Sequence, residues 1–201
     1  MLDVARQRAS ANGVANAMFV HGDAQTHAFE PESADLAVSR FGTMFFADQE
    51  AAFANIGRAL RPAGRLCLAT WQPLAANEWL TLPGAALLRH TDSPGTPVAP
   101  ADQPGMFAQS DRGVVTATLA AAGFADIDFE STTVDFTFGQ TIDEAVAYLA
   151  DSGPGRMLLE TIPEGAARDA ALADMHDSLA GHHDSSGVRL GGAVWIITAT
   201  R

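Results

Sequence analysis

Residues 34–71 read ADLAVSRFGTMFFADQEAAFANIGRALRPAGRLCLATW, and this stretch decides the fold. Its first part, ADLAVSRF, is a short apolar run typical of a buried strand. A helix is predicted next, with Asp48 as its N-cap, an apolar face formed by Phe53, Ile56 and Leu60, and an end at Arg61-Pro62-Ala63-Gly64. GRLCLATW then reads as another strand. Strand, helix and strand joined by short links indicate a parallel sheet covered by helices.

Upstream of this unit lie a helical segment and one more apolar run. MLDVARQRASANG, residues 1–13, has apolar residues at helical spacing and a C-terminal stop at Asn12-Gly13, but no capping residue precedes it. AMFVHGDA, residues 17–24, predicts a strand over 17–21 that ends in a Gly-Asp turn. The first helix therefore has a defined end and no defined beginning.

Downstream, the pattern loosens from Gln72 to Ser110. TDSPGTPVAPADQPGMF, residues 91–107, is predicted to be a loop or cap. Asp111 is then expected to cap a helix that Gly123 closes. In FADIDFESTTVDFTFG the apolar residues alternate but change phase, which predicts a strand with a one-residue bulge near Ser131.

The last part of the chain completes the predicted sheet. Thr141-Ile-Asp-Glu144 forms a capping box that opens a helix. Helical stretches are expected at about 154–161 and 163–180, followed by a turn at GHHDSSG. VRLGGAVWIITATR ends the chain, and its run from Ala193 to Ile197 is apolar on both faces, as in an interior strand. The prediction is a single α/β domain over residues 1–201.

Charge and composition exclude several classes of function. Lys and Arg total 12 and Asp and Glu total 24, so the net charge is -12. Such a field repels phosphate backbones, so neither nucleic acid nor an anionic membrane is an expected partner. No apolar stretch reaches the roughly 20 residues of a membrane span, no signal peptide is indicated, and the single cysteine, Cys67, is predicted to be a buried thiol. A cytoplasmic protein is expected.

Polar residues follow two of the predicted strands where each ends. Asp23 follows the first run and Arg40 lies at the end of ADLAVSRF. Ligands of open α/β sheets bind beyond the carboxyl ends of strands, so Asp23 could accept a hydrogen bond from an amine and Arg40 could meet a carboxylate. Taken alone, Asp23 is better explained by an Asx turn, in which its side chain bonds its own backbone. The segment around Arg40 is likewise explained as a loop that leads to a helix, with its aromatic residues in the core.

In combination, MLDVARQRA, FVHGDAQ, ADLAVSRFGTMFF, FANIGRALRPAGRL and LCLATW closely resemble class I S-adenosylmethionine-dependent methyltransferases, above all the small-molecule enzymes of the ubiquinone and menaquinone biosynthesis type. The likeness is close over about the first 72 residues and looser beyond. It implies a Rossmann-like sheet with helices on both faces and S-adenosylmethionine as cofactor. By this resemblance Asp23 binds the adenine amine, the Ala24 backbone contacts the ring, and Ser39, Arg40 and Phe41 pass beneath the methionine portion. Residues 72–110 correspond to the variable region that encloses the methyl acceptor, a small organic molecule.

The resemblance also implies that a part is missing. Members of the family begin with a strand, a glycine-rich turn into a helix and a second strand, and this sequence has no GxGxG. About 30 residues or more, one βαβ unit, are expected in front of Met1. Without them the strands at 17–21 and 35–40 would lack neighbours and present open edges. A C-terminal rearrangement, a swapped dimer or a partner chain could cover the gap. Residues lost in front of Met1, through a wrongly placed start or boundary, are the favoured explanation.

Two hypotheses of function follow. In the first, the chain is most of a methyltransferase whose acceptor is neutral or apolar, as the tryptophans and leucines of the variable region indicate. In the second, it is a non-catalytic α/β domain that uses its open sheet edge to dimerise or to bind a partner protein. The six histidines show no metal-ligand spacing. His21 and His90 are weighed as a general base, but no catalytic residue is assigned.

Overall fold

The computed structural model describes residues 1–91 and 103–201, so most of the loop predicted at 91–107 lies outside the described residues. Twelve regular elements are formed there. The helices are α1 (Leu2–Ala11), α2 (Gln49–Ala59), α3 (Glu78–Leu88), α4 (Arg112–Ala121), α5 (Ile142–Asp151), α6 (Gly153–Leu159) and α7 (Ala166–Leu179), and the strands are β1 (Ala34–Arg40), β2 (Leu60–Trp71), β3 (Ala125–Gly139), β4 (His183–Asp184) and β5 (Gly187–Thr200). None of these helices is both long enough and apolar enough to cross a bilayer.

The sheet has the order β1-β2-β5-β3, and β4 forms a short hairpin with β5. β1 and β2 are parallel, as the strand–helix–strand unit predicts, and Asp48 caps α2 through a bond from the Ala51 N–H to its carboxylate. The helix ends at Ala59, so Leu60 begins β2 instead of closing the helix face. β5 runs antiparallel between β2 and β3. The prediction of an interior final strand is confirmed.

Helices cover both faces of the sheet, which confirms the predicted fold class. One face packs against α2 and α4 and buries Phe53, Leu66, Leu68, Leu119 and Ile197. The other face is covered by α3, α5, α6 and α7, with Trp71, Val188, Leu190 and Val194 in its two clusters. The chain therefore forms a three-layer α/β structure.

The change of phase in β3 has a cause other than a bulge near Ser131. Pairing with β5 is regular from Asp128 to Thr137, and the register shifts lie near the two ends of the strand. Phe129 packs with the cluster under α2 and α4, whereas Phe136 packs with Trp71 on the opposite face. The two halves of this strand bury opposite faces, so the predicted bulge at Ser131 is wrong.

The predicted strand at 17–21 is also wrong. Residues 17–23 have no regular secondary structure, and Met18 is 89% exposed. A strand needs a neighbour to satisfy its backbone N–H and C=O groups. None of the described residues supplies one here, so the apolar composition of the run does not produce a strand.

β1 is an edge strand that pairs only with β2 within the described part of the chain. Leu36 and Val38 project from the face opposite α2 and are 45% and 69% exposed. No residue of α1 is buried. The apolar edge that the sequence predicts at this strand is therefore present.

The variable region contains a helix, α3, that the sequence pattern does not predict. α3 spans EWLTLPGAALL, which includes Pro83 and is apolar around most of its circumference. Proline inside a helix removes one backbone hydrogen bond, and no amphipathic pattern offsets that signal. Packing against α6 and α7 explains why this segment is nevertheless helical.

α3 is attached to α7 through Asp174. The Asp174 carboxylate accepts hydrogen bonds from His90 Nε2 at 2.8 Å and from Arg89 Nε at 3.3 Å. The bond from His90 is the largest cause and lowers the pKa of Asp174; burial comes next and raises it, and the bond and charge of Arg89 lower it further, so the pKa lies below its ordinary value. His90 therefore ties two helices together at the end of α3 remote from Trp79.

We expect Asp174→Asn to lower the melting temperature at pH 7. Because the folded-state pKa of Asp174 is lowered, its carboxylate stabilises the fold above its unfolded pKa of about 3.9. That contribution to stability is lost as the pH falls through the folded-state pKa of Asp174. The difference in melting temperature between variant and parent should therefore shrink below pH 4. Asp128→Asn, an exposed site on β3, is the control, and equal pH curves for the two variants would contradict the assignment.

Candidate functional site

The carboxyl end of β1 carries a strained backbone. Phe41 has a φ of +56°, in the left-handed region that a bulky side chain rarely adopts. Its N–H donates to the Ala69 carbonyl at 2.9 Å, and its ring stacks on Trp71 with 4.2 Å between ring centroids. Strain of this kind persists where the surroundings hold it and is common at functional sites.

A second turn, at residues 23–27, lies beside this end of the sheet. The Gln25 N–H donates to Asp23 Oδ1 at 2.9 Å, and the His27 N–H donates to the Asp23 carbonyl at 2.7 Å. Asp23 therefore forms the Asx turn that its tripeptide predicts, and its side chain is exposed. A carboxylate has more lone pairs than this bond uses, so the turn leaves acceptor capacity for a ligand.

Helix α2 anchors that turn from the side. Asn55, which is buried, donates from Nδ2 to the carbonyls of Ala24 and His27, both at 2.9 Å. Gln25 Oε1 accepts from the Asp48 N–H at 3.0 Å, directly at the helix cap. The turn at 23–27 is thus held to α2 by side chains and does not depend on a strand before it.

A cavity of about 500 Å³ lies between this turn, β1, β2 and α2. Ala24 and Ser39 both line it, so the structure brings together two of the five residues that the sequence predicts for cofactor binding. Most of its other lining residues are apolar: Phe29, Ala34, Ala37, Val38, Phe46, Ile56, Ala59, Leu60, Leu66 and Leu68. Its volume falls in the range of small-molecule sites, about 300 to 1,000 Å³.

The other predicted residues lie around this cavity and do not line it. Arg40 follows Ser39 in the strand, so their side chains point to opposite faces, and Arg40 is exposed. Phe41 turns toward Trp71 on the face that α3 covers. Asp23 is in the turn next to Ala24. The five residues thus share one end of the sheet, distributed over both of its faces.

A buried polar network supports the loop after β1. Gln109 is 1% exposed, accepts from Thr43 Oγ1 at 2.9 Å and donates to Gln49 Oε1 at 3.1 Å. The Thr70 hydroxyl donates to the Gln109 carbonyl at 3.5 Å. The network joins the loop at 42–46 to β2 and to the start of α2. Sequence reasoning missed Gln109, because it lies far along the chain in the variable region and belongs to no motif.

Aromatic rings continue from Phe41 away from the first cavity. Trp71 contacts Trp79 of α3 with 5.1 Å between centroids, Trp79 stacks on Phe138 at 6.1 Å, and Phe138 contacts Tyr148 at 5.8 Å. This aromatic series, Phe41–Trp71–Trp79–Phe138–Tyr148, joins the carboxyl end of β1 to the helices on the second face. The series is an apolar layer between the carboxyl end of β1 and the helices on the second face of the sheet.

No metal centre is formed by the part of the chain that the structure describes, where no three His, Cys, Asp or Glu side chains converge. Cys67 is partly buried on β2. The groups that the site offers to a ligand are its apolar cavity, the Asp23 carboxylate and the end of β1.

Comparison with known proteins agrees with this geometry. The sequence pattern of a family described as methyltransferase domain matches residues 1–68. The comparison with curated proteins gives no match. Among solved structures, YcgJ from Bacillus subtilis is similar over 100% of this chain and 78% of its own, with 14% identity and a TM-score of 0.59.

Two further solved structures show the same likeness. A putative methyltransferase from Bacillus halodurans C-125 matches over 99% of this chain and 78% of its own, at 16% identity and a TM-score of 0.57. A phosphoethanolamine N-methyltransferase from Haemonchus contortus, solved with S-adenosyl-L-methionine, matches over 100% of this chain and 41% of its own, at 17% identity and a TM-score of 0.50. Residues 1–68 therefore match the sequence pattern of the methyltransferase domain, and the chain shares the fold of these solved structures.

Proposed function

We propose that this chain transfers a methyl group from S-adenosylmethionine to a small, neutral or apolar organic molecule. The observation that carries the proposal is the cavity between the turn at 23–27, β1 and α2, within the part of the chain that matches the methyltransferase family. The alternative of a non-catalytic interaction domain has no comparable support.

The residues at this cavity fit the cofactor. Adenine is a flat, largely apolar ring with one exocyclic amine, and the cavity offers apolar walls next to the Asp23 carboxylate. Gly42 lies at the same end of β1 and lets the backbone approach a ligand closely. Asp23 and Ala24 would hold the adenine, and Ser39, Arg40 and Phe41 would lie beneath the methionine portion.

The chain's own residues contribute mainly by placing the reactants. The sulfonium of the bound cofactor supplies an activated methyl group, so catalysis depends on holding the acceptor atom in line with it. The aromatic series would form one apolar boundary of the acceptor site, and the described parts of the variable region, residues 72–91 and 103–110, would help to enclose the acceptor. We assign no general base.

Saturating S-adenosylhomocysteine is expected to raise the melting temperature of the chain. A ligand at 100 times its dissociation constant that binds only the folded state adds about 2.7 kcal/mol, which is several degrees for a domain of this size. Thermal unfolding with and without the ligand measures the shift. A cooperative transition that does not move would contradict the proposal for this chain.

Asp23→Ala is expected to weaken S-adenosylhomocysteine binding about tenfold or more, because a charge-assisted hydrogen bond contributes roughly 1.5–3 kcal/mol. Asp23→Asn keeps an oxygen for the Asx turn, so it separates loss of the carboxylate from loss of the turn. Asp3→Ala, an exposed change in α1, is the matched control. Isothermal titration measures the affinities, and an unchanged dissociation constant in Asp23→Ala would remove Asp23 from the site.

A further inference from the structure

The loop that follows β1, residues 42–46, forms one wall of the cavity between β1, α2 and the turn at 23–27. Gly42, Thr43 and Phe46 all line that cavity. The loop's own backbone bonds are long, because the Phe45 N–H lies 3.4 Å from the Gly42 carbonyl and the Phe46 N–H lies 3.3 Å from the Thr43 carbonyl. The usual N–H···O distance is about 2.7–3.2 Å, so these bonds alone hold the loop weakly.

Stronger contacts to this loop come from the variable region. The Thr43 hydroxyl donates to Gln109 Oε1 at 2.9 Å, and the Gly105 N–H donates to the Met44 carbonyl at 3.1 Å. Gln109 Nε2 also donates to Gln49 Oε1 at 3.1 Å, at the first residue of α2. One side chain therefore bonds both the loop and the helix that follows it.

The segment that carries Gln109 is attached to the sheet independently of the loop. The Thr70 hydroxyl of β2 donates to the Gln109 carbonyl at 3.5 Å, and Trp195 Nε1 of β5 donates to the Ser110 carbonyl at 3.0 Å. Phe107, in the same segment, is 4% exposed. The side chain of Gln109 therefore extends toward the loop from a backbone that two strands hold in place.

Burial makes the bond between Thr43 and Gln109 costly to lose. Gln109 is 1% exposed and Thr43 is 5% exposed, so water has little access to either group. Removing one partner leaves the other buried and unpaired, which costs more than the net value of the bond. The amide of Gln109 supplies both the acceptor for Thr43 and the donor for Gln49, so its chemistry fits both neighbours.

We propose that Gln109 is a positioning residue for cofactor binding. It holds the Thr43 hydroxyl, and thereby the loop at 42–46, in the conformation that lines the cavity. Gln109 does not line the cavity itself, so it acts on a bound ligand through Thr43 and the loop. The link to the cofactor rests on the proposed function, whereas the attachment of the loop does not.

Gln109→Met tests the link to the cofactor, because methionine keeps the length of the side chain and removes its acceptor and donor. The dissociation constant for S-adenosylhomocysteine, measured by isothermal titration well below the melting temperature, should rise about fivefold, the equivalent of one hydrogen bond. Gly155→Ala is the matched control. It lowers stability in α6, away from this cavity, and should leave the dissociation constant unchanged.

Thr43→Val removes the other partner of the same bond and nearly keeps the shape of the side chain. It should raise the dissociation constant by a similar factor, and it tests the bond even if Gln109→Met fails to fold. In the double variant the two losses should not add, because both substitutions remove one interaction. Additive losses, or an unchanged dissociation constant in Thr43→Val, would overturn the proposal.

Amide hydrogen exchange tests the attachment of the loop without any ligand. The amides of Phe46 and Gly105, which donate to the Thr43 and Met44 carbonyls, should exchange about fivefold faster in Gln109→Met and in Thr43→Val. The Ala145 amide, which donates to the Thr141 carbonyl at the start of α5, is the internal reference and should keep its parent rate. In Gly155→Ala the amides of Phe46 and Gly105 should also keep their parent rates.

The outcomes separate this inference from the proposed function. If the parent chain binds S-adenosylhomocysteine and Gln109→Met binds it equally, the inference is overturned and the proposed function stands. If the parent chain binds no ligand, the proposed function falls, and the role of Gln109 in cofactor binding falls with it. Equal exchange rates for Phe46 and Gly105 in parent and variants would overturn the attachment of the loop in either case.

Discussion

Replacing Gly155 by alanine is expected to lower the melting temperature by roughly 6 to 12 °C. A Cβ at this position would lie 2.0 Å from the Leu149 carbonyl oxygen and 3.0 Å from that of Ala150. Both are backbone atoms at the end of α5, so no side chain can rotate away. Overpacking of this kind costs about 3 kcal/mol or more, and each kcal/mol is worth about 2 to 4 °C in a domain of this size.

The neighbouring Gly153→Ala provides the control for this prediction. Gly153 and Gly155 both belong to α6, but a Cβ at Gly153 would have no atom within 4 Å. This variant should be neutral or slightly stabilising, because alanine restricts the unfolded chain more than glycine does. Thermal unfolding of both variants by circular dichroism compares them. If both lose the same stability, helix α6 does not pack against the end of α5 as described.

Asn77→Ala is expected to cost about 2 kcal/mol or more of unfolding free energy. Asn77 is fully buried, donates from Nδ2 to the Gln72 carbonyl at 2.9 Å and the Pro73 carbonyl at 3.1 Å, and accepts from the Ala193 N–H at 3.0 Å. Removing it leaves the buried Ala193 N–H and the half-buried Gln72 carbonyl without this partner, at about 1–3 kcal/mol each, whereas the Pro73 carbonyl keeps its bond from the Ala76 N–H. It also removes one link between the start of α3 and β5, and the bond from the Gly191 N–H to Glu78 Oε2 remains.

Asn12→Ala is the control variant for Asn77→Ala. Asn12 bonds only the Arg8 carbonyl at the exposed end of α1, so its loss should stay within about 0.5 kcal/mol. Urea unfolding of both variants gives the two free energies. A cost below 1 kcal/mol for Asn77→Ala would contradict the role of this residue as the attachment of α3.

The sequence predicts those elements that carry their own local signal. α2 is marked by a capping aspartate and an apolar face, and β5 by a run that is apolar on both faces. The capping box at Thr141 opens α5 as expected, with the Glu144 N–H bonded to Thr141 Oγ1 at 3.2 Å. The Asx turn at Asp23 likewise follows from three residues. In each case the interaction spans only a few positions.

Features that depend on distant parts of the chain were not predictable in the same way. A strand at 17–21 requires a neighbour that no residue near it specifies. Phe41 combines a left-handed φ with stacking on Trp71, which lies 30 positions later, and Gln109 bonds Thr43 across 66 positions. Helix α3 is obscured by Pro83. The candidate site is defined by such contacts more than by its motifs.

The central position of β5 determines when this protein can fold during its synthesis. β2 ends at residue 71 and β3 at residue 139, and in the described sheet the two strands are joined through β5, at residues 187–200. The β1–β2 pair and β3 can therefore join into one sheet only after β5 has been synthesised. At a synthesis rate of about 5–20 residues per second, the interval between the completion of β3 and that of β5 is on the order of 3 to 12 seconds. During that interval the edges of β2 and β3 that pair with β5 are open, and unpaired strand edges make incomplete folds prone to aggregate.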